Sequence, residues 1–196
     1  MTPLYDAAEI RRMILNKKIG LSILIISIAM IAFIVISIYP KNIHLHAQGM
    51  KYRLGAEHNG DEKSVAIDMD GTVYTSLTGN KRFVGTITIE GEEIPVPENQ
   101  RQLEINLGKD LNGVMLYPYM EDDIIQHFLY GTIFVNRSFR EVAITVMDQY
   151  SAEGNQGGNW SGDDGLMISV PASDRAEALR ISNHLMKDYL DGYILH

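Results

Sequence analysis

The sequence predicts an α+β protein: an N-terminal transmembrane helix, then a mainly antiparallel β-sheet domain with a C-terminal amphipathic helix packed on it. Three observations predict this class. Residues 19–39 form an apolar run without a charged side chain. Across residues 50–170, apolar side chains recur mostly at every second position, with turn residues between the runs. Residues 173–190 carry apolar side chains at helical spacing. In order, residues 1–18 read as a cytoplasmic tail, 19–39 as the span, 40–50 as a stalk and 51–196 as one extracytoplasmic domain.

The run reads IGLSILIISIAMIAFIVISIY. At about 1.5 Å per residue, a helix of this length covers about 30 Å, the thickness of a bilayer's hydrocarbon core. Ser22, Ser27 and Ser37 are small, and their hydroxyls can bond back to a carbonyl one turn earlier. Tyr39 suits the headgroup layer, and Pro40 ends the helix. A core helix of a small domain would show a polar stripe, and this run has none. A cleaved signal peptide has a shorter apolar core, about 7–15 residues, followed by a small-x-small site. The nearest such site, around Ala47, has Leu45 at its outer position, so a retained signal-anchor is expected. Arg11, Arg12, Lys17 and Lys18 precede the run, and Lys41 is the basic residue close behind it. Positive flanks stay inside, which places the N-terminus in the cytoplasm and residues 41–196 outside. Residues 5–18 read as helical and continuous with the span.

The part after residue 40 holds 13 basic and 23 acidic residues, a net charge of about −10 before histidines. That charge speaks against nucleic-acid or anionic-lipid binding. The chain has no cysteine, which removes thiol catalysis, thiolate metal sites and disulfides together. The exported part must therefore hold itself together by its core, and about 150 residues can bury enough apolar surface to do so.

Within the domain, Val65, Ile67 and Met69 alternate with polar neighbours. Asp70-Gly71 is then expected to form a hairpin turn, because both central residues of a type I′ turn need positive φ. Val73, Thr75 and Leu77 continue to the turn Thr78-Gly79-Asn80. Phe83, Gly85, Ile87 and Ile89 form a strand closed by Glu90-Gly91-Glu92, and Leu103, Ile105 and Leu107 form the next. A fifth strand at 114–119 is expected to break at Pro118. Residues 121–127 read as a short helical turn, with Glu121-Asp122-Asp123 as its N-terminal charge cluster. Residues 128–135 and 140–147 pair as a hairpin across Asn136-Arg137-Ser138, with Leu129, Gly131, Ile133 and Val135 facing Val142, Ile144 and Val146. Residues 166–170 make the last strand. In the helix, Asp174 and Glu177 resemble a capping box with Asp in place of the hydroxyl residue. Ala178, Leu179, Ile181, Leu185, Met186, Tyr189 and Leu190 fall on one face, and His184 falls on the solvent side.

Three constellations could carry chemistry. The stretch VAIDMDGTV, residues 65–73, resembles the first motif of haloacid-dehalogenase-type phosphatases. The resemblance implies Asp68 attacking phosphorus, Asp70 as acid/base and Mg²⁺ neutralising the phosphate. Gly162-Asp163-Asp164 resembles the same family's acidic metal motif. The residue pattern points elsewhere: the family needs a parallel strand followed by a helix, whereas β alternation continues past Gly71. On that main reading Asp68 and Asp70 are turn residues, and no catalytic group, metal or cofactor is expected. An extracytoplasmic Mg²⁺-dependent phosphatase stands as the alternative.

The second constellation is the loop EGNQGGNWSGDDG at 153–165, where Trp160 can stack on a ligand ring and Asp163 and Asp164 can offer oxygens. The plainer reading is a Gly-rich surface loop. The third is His44-Leu45-His46, two imidazoles on one face of an extended chain with His58 further along, too few for a metal site without a third ligand.

Ile67-Asp68, Gly71-Thr72, Phe83-Val84-Gly85-Thr86-Ile87 and Ile89-Glu90-Gly91 are similar to a pattern in small membrane-anchored proteins of unknown function from Bacillus-type Gram-positive bacteria. The resemblance implies a bacterial plasma membrane and an extracytoplasmic β domain, and it carries no activity. The expected function is a membrane-anchored extracytoplasmic binding or interaction module. Its expected partners are the plasma membrane and an extracytoplasmic protein, wall component or small ligand.

Overall fold

The computed structural model describes residues 7–152 and 155–196, with side chains described for 16–148 and 158–196. The chain divides into two compact units, one ending at Tyr39 and the other covering Pro40–His196. The first is helix α1, Ala7–Ile38, so the tail and the apolar run are one continuous helix. Its segment Asn16–Ile38 is long and apolar enough to cross a membrane. Ser22 and Ser37 hydroxyls donate to the carbonyls of Lys18 and Phe33, one turn back.

The second unit begins with strands β1 (Lys41–Arg53), β2 (Lys63–Thr75), β3 (Lys81–Ile89), β4 (Leu103–Leu107), β5 (Asn112–Glu121) and β6 (Ile124–Val135). It continues with β7 (Val142–Val146), β8 (Asp148–Ala152), β9 (Asn155–Asn159), β10 (Leu166–Val170) and helix α2 (Arg175–Leu185). Eight strands form one antiparallel sheet in the order β4-β3-β2-β1-β10-β7-β6-β5, and β8 pairs with β9 separately. The α+β class holds.

The sheet rolls. Its two edge strands are consecutive in sequence and are joined by the turn at residues 108–111, where Gly108 N–H donates to Asn112 O at 2.8 Å. A Cβ added at Gly113 of β5 would lie 2.8 Å from the Asn106 carbonyl oxygen of β4, so the edges touch there. Rolling gives the sheet an inside, and all eight strands contribute to one core cluster that includes Ile67, Phe83, Ile105, Met115, Ile133, Ile144 and Ile168. A second cluster lies between the outer face and α2, built on Tyr52, Leu54, Phe134, Ala143, Met167, Ala178, Ile181 and Met186. Period-two alternation supplies both: odd residues of β1 face the first cluster, and Met50, Tyr52 and Leu54 face the second.

Several expectations change. Residues 40–50 are not a stalk. Residues 41–50 belong to β1, paired with β2 from Lys41↔Val73 to Lys51↔Lys63, and their Ile43, Leu45 and Ala47 pack on the first core. Asp70-Gly71 is not a turn either. β2 runs straight through it, and the reversal comes at Ser76–Asn80, where Ser76 N–H donates to Asn80 O at 2.9 Å. Gly71 is there for closeness rather than for positive φ: it pairs with Gly85, and a Cβ on it would meet Gly85 Cα and the Phe83 ring at 2.8 Å. The Phe83 ring lies across both glycines, covering backbone that no side chain protects.

Pro118 does not break its strand. It pairs with His127 within β5, an edge strand, where a missing N–H is tolerated. Beyond β4 the free edge of β5 is capped by the Gln100 side chain, which accepts from Met120 N–H at 2.7 Å and donates to its carbonyl at 3.3 Å. Residues 121–127 are no helical turn. Asp122 and Asp123 take φ of 48° and 60°, the two left-handed positions of a tight hairpin between β5 and β6. The β6–β7 pairing Gly131↔Val146, Ile133↔Ile144 and Val135↔Val142 is as read, but Leu129 is on the opposite face. Finally, α2 stops at Leu185 and the remaining residues turn back. Asp174 caps it by accepting Glu177 N–H at 2.8 Å, while the Glu177 carboxylate reaches back to Ser173 N–H at 2.9 Å.

Candidate functional site

The richest polar cluster sits at the end of the rolled sheet opposite Lys41, inside its mouth. The cause is one extra residue. Met115 pairs with Gly131 and Leu116 with Leu129, which leaves Tyr130 as the unpaired residue of a β-bulge. Phe128 and Tyr130 both pack with the inner core, whereas the Leu129 expected there is turned outward. The bulge therefore adds an inward tyrosine where a regular strand would have none.

The Tyr130 hydroxyl donates to Glu92 Oε2 at 3.2 Å, and the other Glu92 oxygen receives the Lys51 ammonium. Burial raises the Tyr130 pKa well above the ordinary tyrosine range, and the adjacent Glu92 charge pushes it further. Beside it, Tyr117 is 0% exposed and its hydroxyl meets no hydrogen-bond partner among the described residues. Burial pushes the Tyr117 hydroxyl up to about 12, while the charge of Arg101 pulls the other way. Phe128 stands between the two tyrosines, its ring 6.4 Å from Tyr117 and 6.5 Å from Tyr130.

The segment between β3 and β4 folds across this mouth. Ile94 and Val96 drop into the core, and Arg101 pins the segment by donating from Nε to Val96 O at 2.7 Å and from Nη2 to Ile94 O at 3.1 Å. A cleft of about 650 Å³ opens here, lined by Glu92, Glu93, Ile94, Pro95, Arg101 and Phe128. Its volume is in the range of small-molecule sites, and mouths of antiparallel barrels are a usual place for them.

The residues singled out from the sequence are placed as follows. The β1–β2 register brings four of them together: His44 Nδ1 lies 2.8 Å from Asp70 Oδ2, and His46 Nδ1 lies 2.5 Å from Asp68 Oδ1. The two pairs stand side by side on the outer face, well exposed, flanked by Thr86 and Thr88 of β3. β2 is antiparallel to both neighbours and no helix follows it, so the phosphatase scaffold is not present around Asp68. His58 is elsewhere, 3.2 Å from Asp61. Among the described residues no group of three or more His, Asp or Glu is set to hold a metal ion.

Of the Gly-rich loop, Glu153 and Gly154 lie outside the described residues. Trp160 is half-buried on the second core cluster, and its Nε1 donates to Leu166 O at 3.2 Å. Asp163 Oδ1 accepts from the Tyr193 hydroxyl at 2.7 Å, and that bond raises the Tyr193 pKa. The Asp164 carbonyl accepts from Arg53 Nη1 at 2.9 Å. The loop is thus tied to β1 and to the C-terminal segment.

Lys51, Glu92, Arg101, Tyr117 and Tyr130 were not legible as a site. The one signal was in the sequence: Phe128-Leu129-Tyr130-Gly131 leads an alternation ending at Val135 whose parity cannot include both Phe128 and Ile133. Comparison of the chain with protein-family models, with curated proteins and with solved structures finds no match.

Proposed function

We propose that this protein is a single-pass, membrane-anchored interaction module of a bacterial plasma membrane. The basic residues before the apolar helix favour a retained anchor with the N-terminus inside and residues 40–196 outside. The carrying observation is an apolar surface on the β5–β6 hairpin. Val114, Leu116 and Met120 line the outer face of β5 at 52%, 40% and 54% exposure, and Ile125, opposite Met120, is 65% exposed. Pro118 lies in the same row. An apolar row of this kind on a water-facing sheet marks an interaction surface.

The occupant we assign is a protein surface that is apolar at its centre and basic at its edge. Glu121, Asp122 and Asp123 at the hairpin tip make no ion pair among the described residues, and the domain around them is strongly acidic. A second copy of this chain would bring the same acids together, and nucleic acid or anionic lipid would be repelled.

Because the chain has no cysteine, Thr86→Cys gives one label site. A membrane-impermeant maleimide should label it in intact cells, and labelling only after lysis would overturn the orientation. A photo-crosslinking residue at position 125 in the full-length, membrane-embedded protein tests the surface. The expected product is one heteroadduct whose cross-linked peptide is apolar with Lys or Arg flanks, lost in Met120→Asp. A homodimer adduct, or labelling no stronger than from position 86, rejects the assignment.

A further inference from the structure

The domain is acidic as a whole, but its cations are not spread evenly. At the end where β1 begins, Lys41 and Lys81 continue the inward-facing rows of β1 and β3, one step beyond Ile43 and Phe83. The core stops there. Phe139 of the β6–β7 turn is buried in the first cluster, and the Lys81 ammonium lies 5.6 Å from its ring centre. A lysine at such a rim covers its stem and keeps its charge in water. Arg137, in the same turn as Phe139, is exposed. Burial lowers the Lys81 pKa, and the charges of Lys41 and Arg137 lower it further, so the three cations share one neighbourhood. Among the described residues none of the three forms an ion pair. The β2–β3 turn stands at the same end: Val73 pairs with Lys41, and β2 runs on past it to Thr75 before reversing. Leu77 in that turn is 80% exposed, more than any other large apolar side chain described.

We infer that this end of the domain docks on the membrane, with Lys41, Lys81 and Arg137 on anionic lipid phosphates and Leu77 in the interfacial layer. This docking rests on the retained span proposed above, but not on which side of the membrane the domain lies. Connectivity selects the occupant. Helix α1 ends at Ile38 and β1 starts at Lys41. Three residues of extended chain reach at most about 11 Å, so Lys41 stays at the headgroup layer whatever the tilt of the domain. An apolar tip beside cations matches a surface that is anionic outside and apolar beneath, whereas a soluble polyanion offers Leu77 nothing. The net charge does not forbid this. At physiological salt a charge is felt over about 8 Å, and β5, ten residues long, separates this end from the acidic β5–β6 tip by about 30 Å. The tip repels anionic lipid; this end attracts it.

The test reconstitutes the full chain into vesicles of phosphatidylcholine, alone or with an equal part of phosphatidylglycerol, each carrying a spin-labelled lipid that quenches fluorescence on contact. Thr78→Cys and Asp123→Cys each give one site for an environment-sensitive fluorophore. The label at 78 should be quenched at least about twofold more in the anionic vesicles, and the excess should vanish near 1 M salt, where the Debye length is about 3 Å. The label at 123 should stay unquenched in both lipids. Each cation near an anionic surface adds roughly fivefold, so replacing Lys41, Lys81 and Arg137 together with Gln should lower the docked-to-free ratio on the order of a hundredfold. Leu77→Asp, in an exposed turn that the core does not depend on, should abolish the excess quenching with all three cations in place. Stripping of the chain from the vesicles by alkaline carbonate would overturn the span and the docking together. With the chain retained, docking alone is overturned if the label at 78 is quenched no more than that at 123, if the two lipids give equal quenching, or if either variant changes nothing. It is likewise overturned if the label at 78 stays in water on anionic vesicles while soluble polyphosphate shifts its emission through the same cations.

Discussion

Tyr117, Tyr130 and Tyr52 show how much a single buried hydroxyl sets. Burial raises all three above the ordinary tyrosine value, Tyr117 to about 12. Tyr52 is nevertheless fully bonded, 2.8 Å from the Ser182 hydroxyl, and those of Ser182 and Ser169 are 2.6 Å apart, so a polar triad ties β1, β10 and α2. A group whose folded pKa is raised contributes stability that is complete below its unfolded pKa and is lost as pH rises through the folded value. For Tyr117 the window runs from pH 10 to about pH 12, and a two-unit shift corresponds to roughly 3 kcal/mol. Urea unfolding of the full chain should therefore show stability flat to pH 10 and falling steeply above it. Tyr117→Phe should make that fall shallower, whereas an identical slope would mean that the hydroxyl is not buried. The inward direction of Tyr117 was legible from alternation with Met115 and Tyr119. Its lack of a partner was not, because that depends on Arg101, 16 positions away, bonding to carbonyls instead.

Strand β2 separates pattern from local chemistry. Asp-Gly is a strong turn signal, yet Val65, Ile67, Met69 and Val73 keep one parity across it, and all four are buried. Parity decided, because a two-residue turn would have sent Val73 to the solvent face. Asp122-Asp123 is the converse: without glycine the turn was unreadable from residue type, although apolar residues lie on both sides. Aspartate tolerates the left-handed region, and the pairing of twelve- and ten-residue strands imposes it. Gly71→Val tests the strand reading. Its side chain would strike the Val84 carbonyl oxygen at 2.5 Å and the Phe83 ring at 2.8 Å, with an expected loss of about 1–3 kcal/mol or more in chemical denaturation. Asp70→Ala, which removes only an exposed partner of His44, should change little. A tolerated Gly71→Val with a damaging Asp70→Ala would restore the turn.

At the scale of the molecule, the apolar helix, most strands and the capped C-terminal helix were legible because each is a local period. Closure was not, because it depends on which strands meet. The sequence pattern placed most of the strands along the chain but could not show β1 next to β10, or β4 curling round to β5. The start of the domain was the least legible boundary. Residues 41–50 follow the span directly and contain two histidines, so they read as a polar connector, yet they pair with β2 along their length, and Met50 pairs with β10 as well. This gives a sharp truncation experiment. A chain of residues 40–196 keeps both core clusters and should unfold cooperatively on heating. A chain of residues 51–196 loses Ile43, Leu45 and Ala47 from the first core and Met50 from the second. It also strips the β1 ladder from β2 residues 64–73, leaving that stretch without its partner strand. Total stability for a domain is about 5–15 kcal/mol, and losing a central strand removes that much. The shorter chain should show no cooperative transition, by calorimetry or near-ultraviolet circular dichroism. A cooperative transition in it, at a temperature near that of 40–196, would return residues 41–50 to the role of a tether.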